Sequence, residues 1–448
     1  MSPFQGEGRR FEPGPPLQIL SDIIVNGSAH MEIAKKPLNF KLDFTSPFVL
    51  VSSILFIISL SDAVMSYVTP IFIEDHLQNE FAMGIVLSTS SLFGLIIDFF
   101  AGHMWKNKKF GYFIKATIFT AILFPLCFLI FPSNFWVFFI AMAIWGFYYE
   151  TRSFSQFNFL KEYISKNDFS KSWGLFSIHG AFAYLVGPLI AGLAINYLFD
   201  ISFVIALLLN LVAVILFIIF KNVYGAKDSR VVVNGIKEKK FSVFREFGTW
   251  KIFLKRLWPF WLFTIFLVIV DSFFWTSGII YAEEVKETSF LGNFFIPAYT
   301  APSIFMGFLV QKISKSYGKK RTAFFSGLIA SLFLMLIGIS PNALVSLMLI
   351  FMSSVFSALA FPSVWATYED YVDRVEDHRN ELIGLEQAAG SIAYIVGPML
   401  AGYVAYTFSN QISFSIVGAL LMVISVICLV IVPKKIKMPH KELIESLA

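Results

Sequence analysis

The sequence predicts an all-α membrane protein with twelve transmembrane helices in two pseudo-symmetric six-helix bundles. Three observations lead to this fold class: the composition, a series of long apolar runs, and an internal repeat. Hydrophobic residues make up 57% of the 448 residues and charged residues only 15%, and 53 residues are phenylalanine. So little charge cannot cover so much apolar surface in water, whereas a bilayer accepts helical spans of roughly 20 apolar residues.

The apolar runs place the helices in two groups of six. The first six are predicted at 48–73, 81–105, 112–131, 135–161, 173–196 and 201–220, and the second six at 256–282, 291–313, 322–340, 343–369, 381–407 and 412–432. These runs are too long for barrel strands and lack a two-residue alternation, which favours helices. The segment at 1–47, with Met31 as an alternative start, is expected to be a mostly disordered tail; 221–255 is expected to be a basic linker and 433–448 a second tail.

Basic residues predict the orientation of the chain. They cluster after the second span (KNKK), in the linker, after the eighth span (SKSYGKKR) and after the last span (PKKIKMPHK). With twelve spans all four clusters lie on one side, and the loops on the other side are short or acidic. The positive-inside rule therefore predicts that both termini and the linker are cytoplasmic. We expect a multi-pass protein of the plasma membrane.

An internal repeat relates the two halves. Residues 180–192 read GAFAYLVGPLIAG and residues 390–402 read GSIAYIVGPMLAG, at an offset of 210. Asp62 in the first span corresponds to Asp271 in the seventh at an offset of 209. A nearly constant offset over six spans indicates one unit used twice, and parallel six-span halves are the layout of a large class of transporters.

Two carboxyl groups inside the membrane are the sharpest functional signal. Asp62 and Asp271 lie about 16 Å from the outer ends of their spans, at 1.5 Å per residue. A charge buried in the bilayer costs free energy unless it is paired with an opposite charge or hydrated. A low-dielectric environment also disfavours the charged form of a carboxyl group. Both residues are therefore candidate proton or cation sites. The alternative is a structural carboxylate, hydrogen-bonded to Ser61, Ser66, Ser272 or Thr276.

Span four carries two further charges, Glu150 and Arg152. Two residues apart on a helix, they point to nearly opposite sides and do not pair with each other. Arg152 is expected to be within reach of Asp62, where it would modulate coupling; a purely structural ion pair is the alternative. The same spans are rich in aromatic residues that can stack on an apolar solute or a cation. The candidate cavity residues are Trp145, Tyr149, Phe274, Trp275 and Trp365.

Two motifs resemble those of the major facilitator superfamily, over about 48–432. The first is the Gly-Pro "antiporter" motif, found mainly in exporters; it matches Gly180, Gly187, Pro188 and Gly192, repeated as Gly390, Gly397, Pro398 and Gly402. Small residues recur at four-residue spacing, as Ala183, Gly187 and Ala191 and again as Ala393, Gly397 and Ala401, and such spacing lets helices approach closely. Each proline invites a bend. The motif therefore suits a sliding seam between two halves, and static packing is the alternative.

The second motif resembles the family's loop motif and implies a cytoplasmic gate. Gly94 and Asp98 end the second span and are followed by Lys106, Lys108 and Lys109. The sequence departs from the family's pattern in two places. Phe99 stands where a basic residue usually follows the acid, and Gln311 stands in the repeat copy of Asp98.

The motifs that the chain lacks limit the classes of function. It has no Walker, HExxH, CxxC or GxSxG sequence, and Cys127 and Cys428 both lie in apolar runs. We therefore expect no enzyme, cofactor, metal site or nucleic-acid partner. The resemblance is to drug/proton antiporters. It implies a monomer that works with protons in the lipid bilayer and exports a small amphipathic or cationic solute by alternating access.

Two alternatives remain open at this stage. The first is uptake of a nutrient such as a sugar, an organic acid or a peptide by the same fold. The second is a transport-inactive membrane sensor or assembly partner, for which the short basic linker offers little support.

Overall fold

The computed structural model describes residues 46–105, 108–132, 134–164, 169–224, 243–375 and 378–433, together with Ile436 and Met438. Within these residues the secondary structure is helical and contains no strand. The expected N-terminal tail lies almost wholly outside the described residues. The same is true of the linker from 225 to 242 and of most of the C-terminal tail.

The helices form twelve consecutive segments, called spans 1 to 12 here. Spans 1 to 6 are Pro47–Leu77, Glu80–Met104, Phe110–Ile130, Phe135–Tyr163, Phe169–Ile195 and Phe199–Tyr224. Span 7 runs over Val243–Phe274 and Ser277–Lys286, and span 8 over the 3-10 helix Phe290–Phe294 and the helices Phe295–Thr300 and Pro302–Tyr317. Spans 9 to 12 are Lys319–Ile337, Ala343–Val372, Arg379–Thr407 and Asn410–Ile431. The predicted all-α membrane fold is confirmed.

Among the described residues, ten helical segments are long and apolar enough to cross a membrane. The other two segments are spans 4 and 8. Span 4 is 29 residues long, and it falls short in hydropathy because it carries polar residues such as Glu150 and Arg152. Span 8 is divided into three short pieces. Span 4 lines the cavity described below, and span 8 contacts one of the residues lining it, Asp271, through Tyr299. Polar side chains and irregular backbone are tolerated near such cavities in membrane proteins.

Span 7 differs from its predicted bounds. It begins at Val243 rather than at 256, so part of the stretch expected to be linker is helical. The indole of Trp250 donates a hydrogen bond to the Glu381 carbonyl oxygen at 2.9 Å, which ties this extension to span 11. The helix is interrupted at Trp275 and Thr276, where the Thr276 backbone (φ −121°, ψ −92°) leaves the helical region.

Each half has its own core. In the first half, buried phenylalanines such as Phe72, Phe128 and Phe203 pack ring against ring. A buried amide adds specificity, because Asn210 in span 6 donates to Ser61 at 2.9 Å and to the Ala121 carbonyl oxygen at 2.8 Å. Helix association in lipid depends on close packing and such bonds.

The two ends of the molecule are named here by their charge. The basic end is the end at which the even-numbered spans finish, and the acidic end is the end at which the odd-numbered spans finish. At the acidic end spans 2 and 11 are in backbone contact: a Cβ added to Gly402 would lie 2.1 Å from the Glu80 carbonyl oxygen, and one added to Gly84 would lie 2.2 Å from the Pro398 carbonyl oxygen. The interface between the halves is therefore closed at the acidic end.

Candidate functional site

A cavity of about 560 Å³ lies between the two halves and extends toward the basic end. Its lining residues come from spans 1, 2, 4, 5, 7 and 11. Five aromatic residues contribute: Trp145, Tyr149, Tyr184, Trp275 and Tyr394. Six serine and threonine residues contribute aliphatic hydroxyl groups: Ser66, Ser90, Ser91, Ser272, Thr276 and Ser391. Glu150 and Asp271 contribute carboxyl groups.

The carboxylate of Asp62 lies beside this cavity, buried in the first half and fully engaged. Arg152 donates from Nη1 to Oδ2 at 3.0 Å, and Tyr184 donates to the same oxygen at 2.5 Å. Oδ1 accepts from the Trp145 indole at 3.0 Å and from Tyr149 at 3.2 Å. The Asp62 side chain is only 2% exposed and that of Arg152 is 14% exposed. Four donors, one of them cationic, hold this carboxylate in place.

Asp271 is bound differently. It lines the cavity, and its two oxygens accept hydrogen bonds from the hydroxyls of Tyr299 and Tyr394. Within the described part of the chain it forms no ion pair. It also lies three residues before the end of the Val243–Phe274 helix, next to the interruption of span 7. A carboxylate that faces a cavity with only neutral partners can bind a proton or a cationic group.

The difference between the two sites follows from the repeat. Tyr184 and Tyr394 occupy the same position of the repeated segment, and each donates to the carboxylate of its own half. Arg152 has no counterpart, since the corresponding positions, at offsets of 209 and 210, are Phe361 and Pro362. One half therefore neutralises its carboxylate and the other does not.

Arg152 reaches Asp62 as expected, whereas two serines named in the structural alternative bond elsewhere. Ser61 donates to the Ala206 carbonyl oxygen at 3.0 Å, and Ser272 donates to its own helix, to the Ile269 carbonyl oxygen at 2.7 Å. Aromatic hydroxyl and indole groups take the place of the expected serines. They reach the aspartates from other spans, so spacing along span 1 or span 7 could not show them.

Two residues expected in the cavity lie outside it. Phe274 is 1% exposed and stacks on the Tyr299 ring at 3.8 Å, behind Asp271. Trp365 is 36% exposed, lies in span 10 near Tyr368, and is not part of the cavity wall. Three of the expected residues, Trp145, Tyr149 and Trp275, do line the cavity.

The residues expected to form a gate are only partly described. Gly94 lines the cavity, and a Cβ there would lie 3.2 Å from Oε1 of Glu150, so spans 2 and 4 are closely packed at this point. Lys108 places its ammonium 4.8 Å above the Tyr112 ring, and Lys109 precedes span 3. Lys106 and the side chain of Asp98 lie outside the described residues.

The glycines of the Gly-Pro segments fall into three groups by what surrounds them. A Cβ on Gly187 would lie 2.4 Å from the Ala63 Cβ, and one on Gly397 would lie 1.8 Å from the Ser272 Oγ, so both glycines pack inside their own half. Gly192 and Gly402 face the opposite half at the acidic end, whereas Gly180 and Gly390 have no atom within 4 Å of an added Cβ. The helices run through Pro188 and Pro398 without interruption.

A polar network joins the halves at the acidic end. Tyr67 of span 1 donates to Glu283 of span 7 at 2.8 Å. Lys286 pairs with Glu283 at 2.8 Å and also donates to the Gly192 carbonyl oxygen at 2.8 Å. Lys286 and Glu283 are 11% and 19% exposed, so this network is largely desolvated. We call it the acidic-end latch. The sequence indicated Gly192 as part of the Gly-Pro motif but gave no role to Tyr67, Glu283 or Lys286, although Glu283 corresponds to Glu74 in the repeat.

Comparisons with known proteins agree with this architecture. Residues 51–376 match the sequence model of the Major Facilitator Superfamily. No curated protein matches the chain at a significant level.

Three solved transporters have a similar fold. One is a peptide transporter POT in complex with sulfate, at 12% identity and a TM-score of 0.68, covering 87% of this chain and 94% of that chain. A POT family transporter in complex with 5-aminolevulinic acid shares 12% identity at a TM-score of 0.66, covering 86% of this chain and 96% of that one. The nucleoside transporter NupG shares 12% identity at a TM-score of 0.66, covering 85% and 96%. These similarities concern the fold alone.

Proposed function

Because the chain belongs to the Major Facilitator Superfamily, we propose that it is a secondary active transporter that exports a small cationic or amphipathic solute in exchange for protons. One observation carries this proposal. Asp271 faces an aromatic cavity between the halves and is held by tyrosine hydroxyls, with no cationic partner among the described residues.

Exchange follows from the chemistry of a single carboxylate. A proton and a cationic solute neutralise the same group, so the binding of one excludes the other. If each is released on a different side, the two fluxes are coupled. The aromatic wall supports the same substrate class, because Trp145, Tyr149 and Trp275 offer ring faces to a cation or an apolar body.

Asp62 takes a different role in this proposal. Its charge is already matched by Arg152 at 3.0 Å, and three further donors saturate its oxygens. We assign to the Asp62–Arg152 pair the positioning of Tyr184 and Tyr149, whose rings form part of the cavity wall. Proton binding is therefore assigned to Asp271, and Glu150 adds a second carboxyl group to the cavity wall.

The closed acidic end and the open cavity define the state that the structure represents. We place the basic end in the cytoplasm, on the positive-inside rule. The state is then inward-facing, with the acidic-end latch and the Gly402 and Gly192 contacts as the closed outer gate. Gly94 and the basic loop after span 2 lie at the end that closes in the opposite state. Alternating access is the exchange between these two states.

The test uses everted vesicles with an acidic interior and a pH-quenched dye. A panel of lipophilic cations, sugars, organic acids, dipeptides and nucleosides is added compound by compound. Asp271→Asn keeps the size of the side chain and removes the ionisable group. The matched control is Asp200→Asn, which removes a carboxylate from an exposed position at the acidic end.

We expect cationic compounds to cause dequenching, and we expect Asp271→Asn to lose this response while Asp200→Asn keeps it. Proton exchange that persists in folded Asp271→Asn would refute the assignment. Dequenching by organic anions alone would refute the cationic substrate class.

A second candidate function is uptake of a small polar nutrient. Six hydroxyl-bearing residues line the cavity beside the aromatic groups, and hydroxyls suit a neutral solute rich in hydrogen-bonding groups. The same panel separates the two candidates. Uptake predicts that a dipeptide, nucleoside or sugar enters right-side-out vesicles together with protons, and that lipophilic cations have no effect.

A further inference from the structure

We propose that the second half carries a phosphate-binding site at the basic end, separate from the transport cavity. A second cavity, of about 550 Å³, lies where the beginning of span 9 meets the last turns of spans 10 and 12. Its wall includes the turn at Tyr317 and Gly318, and Val432 and Pro433, which directly follow span 12. Of the described residues, none lines both this cavity and the transport cavity.

The cavity has an excess of positive charge. Among the described residues that line it, four are cationic, Lys319, Lys320, Arg321 and Arg374, and one is a carboxylate, Asp370. Lys319 is matched by Asp370 at 2.7 Å. Lys320 donates only to a neutral acceptor, the Pro433 carbonyl oxygen, at 2.6 Å, and it interacts electrostatically with Arg374. Like charges held together in this way indicate a place for an anion.

The buried hydroxyl of Tyr371 also favours phosphate as the ligand. Tyr371 lines this cavity and is 2% exposed, and within the described residues its hydroxyl has no hydrogen-bond partner. The guanidinium of Arg374 lies 5.8 Å from the centre of its ring. Buried hydroxyls in folded proteins are nearly always paired, because an unpaired one carries a desolvation penalty. A phosphate oxygen beside Arg374 would accept the missing bond.

The third contribution is the backbone at the beginning of span 9. This helix is 19 residues long, and its N-cap, Gly318, provides no side-chain cap. The first N–H groups of a helix have no partner within the helix, and together with the helix dipole they favour an anion. Gly318 and Lys319, at this N-terminus, form part of the cavity wall.

Two sources carry the same phosphate chemistry, the headgroup of an anionic lipid and free inorganic phosphate. The cavity lies at the basic end of the spans, at the level where lipid headgroups contact membrane proteins. The apolar side chains of Leu429, Val432 and Phe324 in its wall suit the adjoining acyl chain. Phosphate is the group recognised in either case.

The binding test uses the purified, delipidated full chain in detergent. The unfolding temperature is measured against short-chain phosphatidylglycerol and, separately, against inorganic phosphate, at constant ionic strength. We expect a saturable rise. Lys320→Gln with Arg374→Gln removes two positive charges from the site, and the control, Lys251→Gln with Lys255→Gln, removes two from exposed positions of span 7 at the same end. The site variant should bind roughly 100-fold more weakly and the control should bind as the parent does.

The source follows from which probe binds. A response to phosphatidylglycerol alone identifies a lipid headgroup, and a response to inorganic phosphate as well identifies a site that also accepts a free anion; both support the proposal. The absence of a saturable response to either probe would overturn it. Equal losses in the site variant and in the control would also overturn it, because they would indicate attraction by net charge only.

Tyr371→Phe separates binding from folding. The ring is kept and only the unpartnered hydroxyl is removed, so the ligand-free chain should unfold at the same temperature or higher. Affinity for the phosphate probe should fall about tenfold. A lower unfolding temperature without ligand, together with unchanged affinity, would assign the hydroxyl a structural role and refute its part in the site.

Discussion

Breaking the ion pair beside the cavity tests how the first half is held together. Arg152 donates from Nη1 to Asp62 at 3.0 Å and from Nη2 to Ser59 at 2.7 Å. Arg152→Met keeps most of the length of the side chain and removes its charge. Asp62 would then be a buried carboxylate, 2% exposed, with neutral donors only.

The expected loss of stability is large. Removing one partner of a buried ion pair costs about 3–5 kcal/mol, because the other charge stays desolvated. With an unfolding entropy of about 2.1 cal/mol/K per residue over 448 residues, this corresponds to a fall of roughly 3–5 °C in the unfolding temperature. Replacing both partners, Asp62→Asn with Arg152→Met, leaves no buried charge and should recover most of the loss.

The assay is thermal unfolding of the purified protein in one detergent, followed by tryptophan fluorescence. The parent, the two single variants and the double variant form a double-mutant cycle. Asp271→Asn is the comparison in the other half, where no ion pair is broken among the described residues, and it should change stability by less than about 2 kcal/mol.

A double variant as unstable as Arg152→Met would refute the reasoning, since it would show that the charge of Asp62 is not what makes the loss of Arg152 costly. So would an Arg152→Met protein as stable as the parent.

Two predictions concern the closed acidic end, and both use maleimide labelling of Ser391→Cys in a background without Cys127 and Cys428. Lys286→Met removes the hydrogen bond to the Gly192 carbonyl oxygen and the ion-pair partner of Glu283. This should shift the population away from the inward-facing state by about 1–3 kcal/mol and slow the labelling. Unchanged labelling would contradict a latch. Gly402→Ala places a methyl group 2.1 Å from the Glu80 carbonyl oxygen, so it should also slow labelling and reduce transport. The control is Gly390→Ala, whose added methyl group has no neighbouring atom within 4 Å, and it should label as the parent does. Equal effects of the two alanines would argue against the contact.

Much of the fold was predictable from the chain. Length, hydropathy and the repeat are properties of consecutive residues, and a span in lipid must satisfy its own backbone hydrogen bonds. Twelve spans therefore followed from reading along the sequence. The beginning of span 7 did not, because Lys251, Lys255 and Arg256 make its first turns resemble a loop. The helix extends there because Trp250 packs against span 11.

The candidate site was predicted in part. Asp62, Asp271 and Arg152 were found because charges are rare inside spans, and the reach of Arg152 to Asp62 was expected. The tyrosines were missed, although Tyr184 and Tyr394 occupy the same position in the two copies of the repeat. A polar residue that is identical in both copies of the repeat, in a half that also carries a buried carboxylate, could have been predicted to bind that carboxylate.

By itself the sequence determined which segments lie in the membrane, that the chain consists of two related halves, and which residues bring charge into the bilayer. Those properties depend on composition, on periodicity and on the cost of a buried charge. Only the tertiary structure determined which side chains contact each charged group. It brought Arg152 to Asp62 and the hydroxyls of Tyr299 and Tyr394 to Asp271, and it placed Phe274 behind the site and Trp275 in the cavity. These contacts join spans that are far apart in the chain, and their geometry depends on packing of side chains that no spacing along one helix records.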